Sequence, residues 1–503
     1  MDTRQLFAKY SDPSEFEKIK PIDTVVDMLN MCKREYSSLP AISDATGEYT
    51  YGQLCDDVAK FRHVLKQNGI VPGQRVGLFS VNCYDLIKAF LAVITYGCTA
   101  LIFPIQFESE KIEECCAKFN LGCIVYHDML GDRLESINKN IPLVNVKESS
   151  LEQLDMVKVD ASSPCVIMFT GGSSGKNKGA LLSHKAFMQG VVNGCYGIKK
   201  LFFQKYILVL PLSHVFGLIR NTMTPLYTGS CIRVCKSPKD LFSDIKTFKP
   251  NILVLVPALV DMAINLSKKF KRNMLGDDVK TIICGAAHVS PYLIEECANI
   301  GITVFPGYGL TESANLVSGN PEQIKKPDSV GIPYPNQQLK IVNGELWLKG
   351  DNIMDGYVDE DEENKRAFED GWFKTGDLVR FDEDGFLYIT GRCKDIIVLS
   401  NGENVSPEEV ETHFNALSSV QDSQVFECVL ENGKHVLAVE VYPRRLELEK
   451  LGVTDIEEYV TEQLKEVNAQ LPPHMRVSKF MVRKTDFERN SSMKIVRYKN
   501  EIK

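Results

Sequence analysis

A chain of 503 residues is too long for one compact core, so a large domain with at least one smaller partner is expected. With 44% hydrophobic and 25% charged residues, the composition is that of an ordinary globular protein. The net charge of -8 disfavours nonspecific nucleic-acid binding as its main business.

The opening residues, MDTRQLFAKYSDPSEFEK, lack an apolar stretch followed by a small-residue cleavage site, so no export signal is expected. The longest apolar stretch, Ile252 to Ile264, is broken by Pro257 and Asp261 and is too short to span a bilayer. Among 15 cysteines there is no C-x-x-C pair, and Cys115 and Cys116 are adjacent. Small buried side chains in a reducing, cytoplasmic setting are therefore expected, in place of disulfides or metal ligands.

From Arg75 onward, short apolar runs alternate with helical patterns. VGLFS (76–80) predicts a strand, Tyr84 to Tyr96 a helix, CTALIF (98–103) a strand, Glu108 to Phe119 a helix and CIVYH (123–127) a strand. That order is the signature of a parallel sheet covered by helices. It returns at YILVL (206–210), NILVLV (251–256), TIIC (281–284) and ITVF (302–305). Past Gly331 the pattern changes to hairpins, with turns predicted at Asn343-Gly344 and Asp384-Gly385.

After Arg392 a small α+β unit is expected. It contains a strand at IIVLS (396–400), a helix opened by a Ser406-Pro407-Glu408-Glu409 capping box, a hairpin near Glu431-Asn432-Gly433 and a helix from Thr454 to Leu471. The predicted fold class is α/β: a large amino-terminal domain of parallel sheets and helices with a β-rich subdomain, plus a small α+β carboxy-terminal domain. The predicted boundaries are 1–391 and 392–503.

Four windows carry chemistry. FTGGSSGKNKG (169–179) follows an apolar run, and its glycines, hydroxyls and lysines suit phosphate oxygens. It is not a Walker loop, because Thr170 and Asn177 stand where that motif needs Gly and Ser or Thr. GYGLTES (307–313) places Glu312 in a loop after a strand, and a carboxylate beside phosphates makes sense only with a cation such as magnesium between them. WFKTGD (372–377) offers Asp377 as an acceptor for ribose hydroxyls, with Arg392 following one hairpin later. NSSMKIVR (490–497) holds Lys494 near the end of the chain.

In their order and spacing, these windows resemble the adenylate-forming superfamily of acyl-CoA synthetases, peptide-synthetase adenylation domains and luciferases. DGWFKTGD (370–377) and GRCKDIIVLSNGENV (391–405) look most like fatty acyl-CoA synthetases. The resemblance implies that Thr170, Gly171, Gly172, Ser173, Ser174, Gly175 and Lys178 hold the ATP phosphates. Gly285, Ala286, Ala287 and Tyr308 would wall the adenine slot. Thr311 would contact the α-phosphate, Glu312 with Thr170 would hold Mg2+, and Asp377 and Arg392 would bind ribose.

Lys394 matches the hinge and Lys494 the lysine that bridges carboxylate and α-phosphate. Gly402 matches the thiol tunnel, and His214, Phe216 and Gly309 match the acyl pocket. Two positions depart from the family pattern: Asn177 replaces a Pro before the phosphate-loop lysine, and Met493 replaces a Gly before Lys494.

The activity implied is ATP-dependent formation of an acyl-AMP from a carboxylic acid, then of a thioester with coenzyme A. Loading of a carrier protein's phosphopantetheine is the alternative. The stretch Ile207 to Arg220 has no acidic residue, and Gly309 stands where acetate-specific relatives carry Trp. Medium-to-long fatty acids are therefore the first substrate expectation and aryl acids the second. A non-enzymatic nucleotide-binding protein is disfavoured by intact Glu312, Asp377, Arg392 and Lys494.

Overall fold

Short runs rich in Val, Ile and Leu, each closed by Gly, Pro or Asp, become the central strands of two large sheets. The computed structural model describes residues 3–135, 137, 141–171, 177–399, 404–429, 435–489 and 495–497.

The nine-stranded sheet runs in the order Ile332–Pro333, Ser318–Gly319, Thr303–Tyr308, Thr281–Cys284, Ile252–Leu255, Lys205–Leu208, Cys231–Val234, Pro40–Ser43, Glu48–Thr50. Its middle is parallel, from Thr303–Tyr308 to Pro40–Ser43, and both edges are antiparallel. The seven-stranded sheet runs Gly356–Tyr357, Asn177–Ser183, Pro164–Gly171, Thr99–Ile102, Arg75–Phe79, Leu121–Tyr126, Leu143–Asn145. The largest apolar cluster draws side chains from both sheets and from the helices Tyr51–Gln67, Tyr84–Thr95 and His184–Asn193.

Helix Tyr84–Thr95 is buried on nearly all sides, as its near-continuous apolar sequence requires. Each Leu, Ile or Phe so enclosed contributes about 1.5–3 kcal/mol. Its one buried cation, Lys88, is held by Asp85 at 2.7 Å and lies over the Phe61 ring.

The β-rich subdomain is a five-stranded antiparallel sheet around Trp372–Phe381. Asn343 and Gly344 both adopt positive φ (51° and 85°), so the predicted tight turn forms there. At Asp384-Gly385 the turn is wider than expected. Only Gly385 has positive φ, and the Phe386 carbonyl accepts the Asp382 N–H at 3.0 Å, closing a five-residue loop.

In the carboxy-terminal unit, Val420–Val429 and His435–Pro443 pair antiparallel and Lys479–Val482 joins in parallel. The turn expected at Glu431-Asn432-Gly433 lies outside the described residues. The strand expected at 396–400 shortens to Ile397–Val398. The capping box expected at Ser406 does not form. Pro407 does open the helix, but the Ser406 hydroxyl bonds the Glu408 carboxylate at 3.3 Å and caps no backbone N–H.

Charged pairs join this unit to the rest. Arg444 is buried against the Tyr292 ring, 3.9 Å from its guanidinium carbon, and contacts Asp261. Lys268 reaches Glu447 at 2.9 Å and Glu296 at 2.7 Å. Among the described residues, no helix is long and apolar enough to cross a membrane. All 15 cysteines are free and 13 of them are buried.

Candidate active site

The phosphate window does not lead into a helix. Pro164–Gly171 and Asn177–Ser183 form an antiparallel pair with Thr170 directly across from Lys178, so the segment between them joins two strands. That connection separates it physically from a Walker loop, which needs strand, loop and helix. Gly172, Ser173, Ser174 and Gly175 lie outside the described residues, as do Gly402 and Lys494.

Strand Pro164–Gly171 also touches the turn Thr311–Ser313, which brings Thr170 and Lys178 to the neighbourhood of Glu312. Glu312 is half-buried, its backbone carbonyl accepts the Met354 N–H at 2.8 Å, and its Oε1 accepts the Tyr357 hydroxyl at 2.8 Å. Burial raises its carboxyl above the ordinary glutamate range, and the Tyr357 bond pulls the other way.

Lys178 sits 5.0 Å from the centre of the same Tyr357 ring and pairs with Glu363, whose carboxyl that bond holds below its usual range. Tyr357 and Glu363 were not legible as site residues. They arrive because Gly356–Tyr357 pairs with strand Asn177–Ser183, Tyr357 opposite Ala180.

The second half of the site is a triad of two buried side chains, Tyr308 and Asp377, and a partly exposed Arg392. Asp377, 2% exposed, accepts the Tyr308 hydroxyl on Oδ2 at 2.6 Å and the Arg392 Nε on Oδ1 at 3.0 Å. The carboxylate in turn raises the Arg392 guanidinium above its ordinary value. Asp377 and Arg392 face each other across the hairpin, which follows from their register. Each carboxylate oxygen retains a further lone pair, so Asp377 can still accept from a hydroxyl.

The third part lies around Gly285. A Cβ built there would meet the Phe216 ring at 3.6 Å and the Gly307 carbonyl at 3.2 Å, so Phe216, Gly285 and Gly307 share one spot. Ala286 and Ala287 are exposed, and Ala286 has φ 68°. His214 is half-buried just ahead of a π-helix, Phe216–Met223.

Gly309 corrects the sequence expectation. A Cβ there would lie 1.4 Å from the Asn315 carbonyl oxygen and 2.3 Å from its carbon, so the position faces backbone and not an acid's tail. The glycine is required by close approach of two chain segments. Gly309→Trp therefore cannot report on pocket size. Gly309→Ala should destabilise the protein by about 2–4 kcal/mol, because rigid backbone must move. A denaturant midpoint within error of the wild type would contradict this packing.

Lys394 is exposed in the turn that follows strand Leu387–Arg392. The residues flanking Lys494 are anchored. Arg489 holds Asp422 at 2.5 Å, and Arg497 grips Glu411 through two bonds of 2.8 and 2.5 Å. Burial pushes the Glu411 carboxyl up to about 7, with Arg497 opposing.

Residues 31–358 match the AMP-binding enzyme family, and residues 394–502 match the AMP-binding enzyme C-terminal domain. The chain belongs to the AMP-binding enzyme family. Among curated relatives, it is 26% identical over 404 residues to a 2-succinylbenzoate--CoA ligase of Geobacillus sp., covering 76% of this chain and 80% of that protein. It is 25% identical over 393 residues to a feruloyl-CoA synthase of Amycolatopsis sp., covering 74% and 79%.

The fold matches an anthranilate CoA ligase in complex with anthranoyl-AMP, at TM-score 0.83 and 19% identity over 94% of this chain and 95% of that one. It also matches the Bacillus subtilis O-succinylbenzoate coenzyme A synthetase in complex with ATP and magnesium ion. That likeness has TM-score 0.77 and 21% identity, over 93% and 98% of the two chains.

Proposed function

We propose that this enzyme is an AMP-forming acid–thiol ligase that activates a carboxylic acid with ATP and transfers the acyl group to coenzyme A. The observation that carries the proposal is the convergence of Thr170, Lys178 and Glu312 on one side and Tyr308, Asp377 and Arg392 on the other. A nucleotide needs both: charge for its phosphates and a carboxylate for its ribose.

Attack of a carboxylate on the α-phosphate gives a mixed anhydride and releases pyrophosphate. The step needs positioning and charge neutralisation more than a protein nucleophile. Lys178 neutralises phosphate oxygens from the strand edge, after exchanging its Glu363 partner for the nucleotide. Thr311 donates towards the α-phosphate, and Asp377 fixes the ribose so that the phosphate lies in line with the acid. Lys494 bridges the two reacting groups.

Glu312 fits a magnesium ion brought by ATP. It is a carboxylate with spare acceptor capacity, and among the described residues no Lys or Arg pairs with it. One or two carboxylates plus substrate phosphates are that ion's usual ligands. The ion would supply charge neutralisation to the phosphates, with Thr170 as its second protein partner. Lys394 serves as the pivot and Gly402 lines the path of the thiol in the second half-reaction.

For the acid itself, the relatives' names favour the aryl alternative over a fatty acid, and they favour CoA over a carrier protein as acceptor. An aromatic acid admitted past His214 and Phe216 is the substrate class proposed. The cysteine-rich chain suits a reducing compartment, and the cytoplasm is the location proposed.

Incubation with ATP, Mg2+, CoA and a panel of aryl and alkyl acids should yield AMP and an acyl-CoA detectable by mass. Production of ADP in its place would overturn the assignment. Because Lys178 must release Glu363, Glu363→Gln should lower KM for ATP by about two- to five-fold, the modest scale of a partly exposed ion pair. An unchanged or raised KM would show that Glu363 does not compete with ATP.

A further inference from the structure

The helix Phe216–Met223 is a π-helix, a rare form found frequently at functional sites. Its first residue, Phe216, lies against Gly285 and beside Gly307. Four residues on, roughly one π-turn and so on the same face, stands Arg220. It is 1% exposed and heads the largest fully buried side chains.

Among the described residues no carboxylate forms an ion pair with Arg220, and its Nη1, fully buried, has no hydrogen-bond partner. Its charge reaches the phenols of Tyr206 and Tyr334 and the thiol of Cys195. Burial raises all three, and the guanidinium charge offsets part of that rise. None of the three is a carboxylate, so among the described residues the positive charge has no counter-charge in contact with it. The Tyr206 hydroxyl, buried beside the guanidinium, makes no well-formed hydrogen bond.

An uncompensated guanidinium in an apolar interior is strongly unfavourable, and proteins retain one where something anionic meets it. Arginine's flat fork of donors suits a carboxylate through two parallel bonds. The helix leads from the acyl side of the site at Phe216 inward to Arg220.

We infer that Arg220 is a specificity-determining residue that receives a second carboxylate at the far end of the acid substrate. The natural substrate would then be a dicarboxylic acid, activated at one carboxyl and held at the other. The inference rests on the ligase assignment above and narrows its substrate class. Tyr206 donates its hydroxyl to the same group. Selection arises because a monoacid of equal length leaves the guanidinium unpaired, while a diacid satisfies it.

The test compares α,ω-diacids of four to twelve carbons, and benzoates carrying a carboxyalkyl arm, with monoacids of matching length. Acid-dependent pyrophosphate exchange gives kcat/KM for each. The wild type should prefer a diacid over its matched monoacid on the order of 10²-fold at one length or more. Arg220→Met, which keeps the side chain's length without its charge, should reverse that order while KM for ATP stays within two-fold.

Arg220→Lys should keep the preference in weakened form, and it serves if the Met variant fails to fold. Exchange with monoacids but no diacid preference at any length would overturn the inference and leave the ligase assignment standing. A preference that survives unchanged in Arg220→Met would overturn it too, because a merely structural arginine would not set the ratio. Exchange with no acid of either kind would overturn both.

Discussion

Lys494→Ala should abolish acyl-AMP formation while thioester formation from pre-made acyl-AMP stays within a few-fold of wild type. The lysine's role is implied by the family pattern at NSSMK (490–494), and its neighbours Arg489 and Arg497 are tied to the small unit through Asp422 and Glu411. A charge aimed at a developing phosphorane typically contributes 10²–10³-fold, ~3–4 kcal/mol of barrier. Thiol attack on the mixed anhydride expels AMP and does not need that charge. Rapid-quench measurement of each half-reaction separates the two. Equal damage to both would mean that Lys494 holds the fold of the small unit and takes no part in phosphoryl chemistry.

Glu312→Gln should reduce adenylation on the order of 10²–10³-fold and weaken its dependence on Mg2+, since the amide removes the charge that holds the cation. The pH dependence adds a finer check. Only the ionised carboxylate can hold the ion, so kcat/KM falls as pH drops through the Glu312 pKa. Burial has raised that pKa, so the acid limb should begin above the range of an ordinary glutamate.

Tyr357→Phe removes the hydroxyl that favours the charged form, so it should move the limb to still higher pH. An acid limb that stays in place in Tyr357→Phe would show that some other group limits the rate.

What the sequence made legible was local or periodic. Helix Tyr84–Thr95 announces itself by a near-continuous apolar run, and the Asn343-Gly344 turn by residues that tolerate positive φ. Asp377 and Arg392 could be joined because a single hairpin separates them. The features that escaped depend on distant pairing or on direction. Tyr357 reaches Glu312 only because its strand adds to the edge at Ala180, a partnership no motif encodes.

The identity of Gly309 was plain, but not which way its missing side chain points, and backbone from Asn315 fills that direction. Ser406 looked like a capping residue, yet Glu408 competes for its hydroxyl more effectively than the helix does. Arg220, read along the chain, was only the end of a stretch without acidic residues. Its burial is set by strands and helices far from it in sequence.

The most direct measurement of the central claim is acid-dependent ATP–pyrophosphate exchange by the intact protein, with Mg2+ and without CoA. If a carboxylic acid is activated as its adenylate, labelled pyrophosphate should enter ATP only when a suitable acid is present, and Asp377→Ala or Glu312→Gln should suppress that exchange. No exchange with any acid across the aryl, alkyl and dicarboxylic panel, in a folded protein that binds ATP, would contradict it.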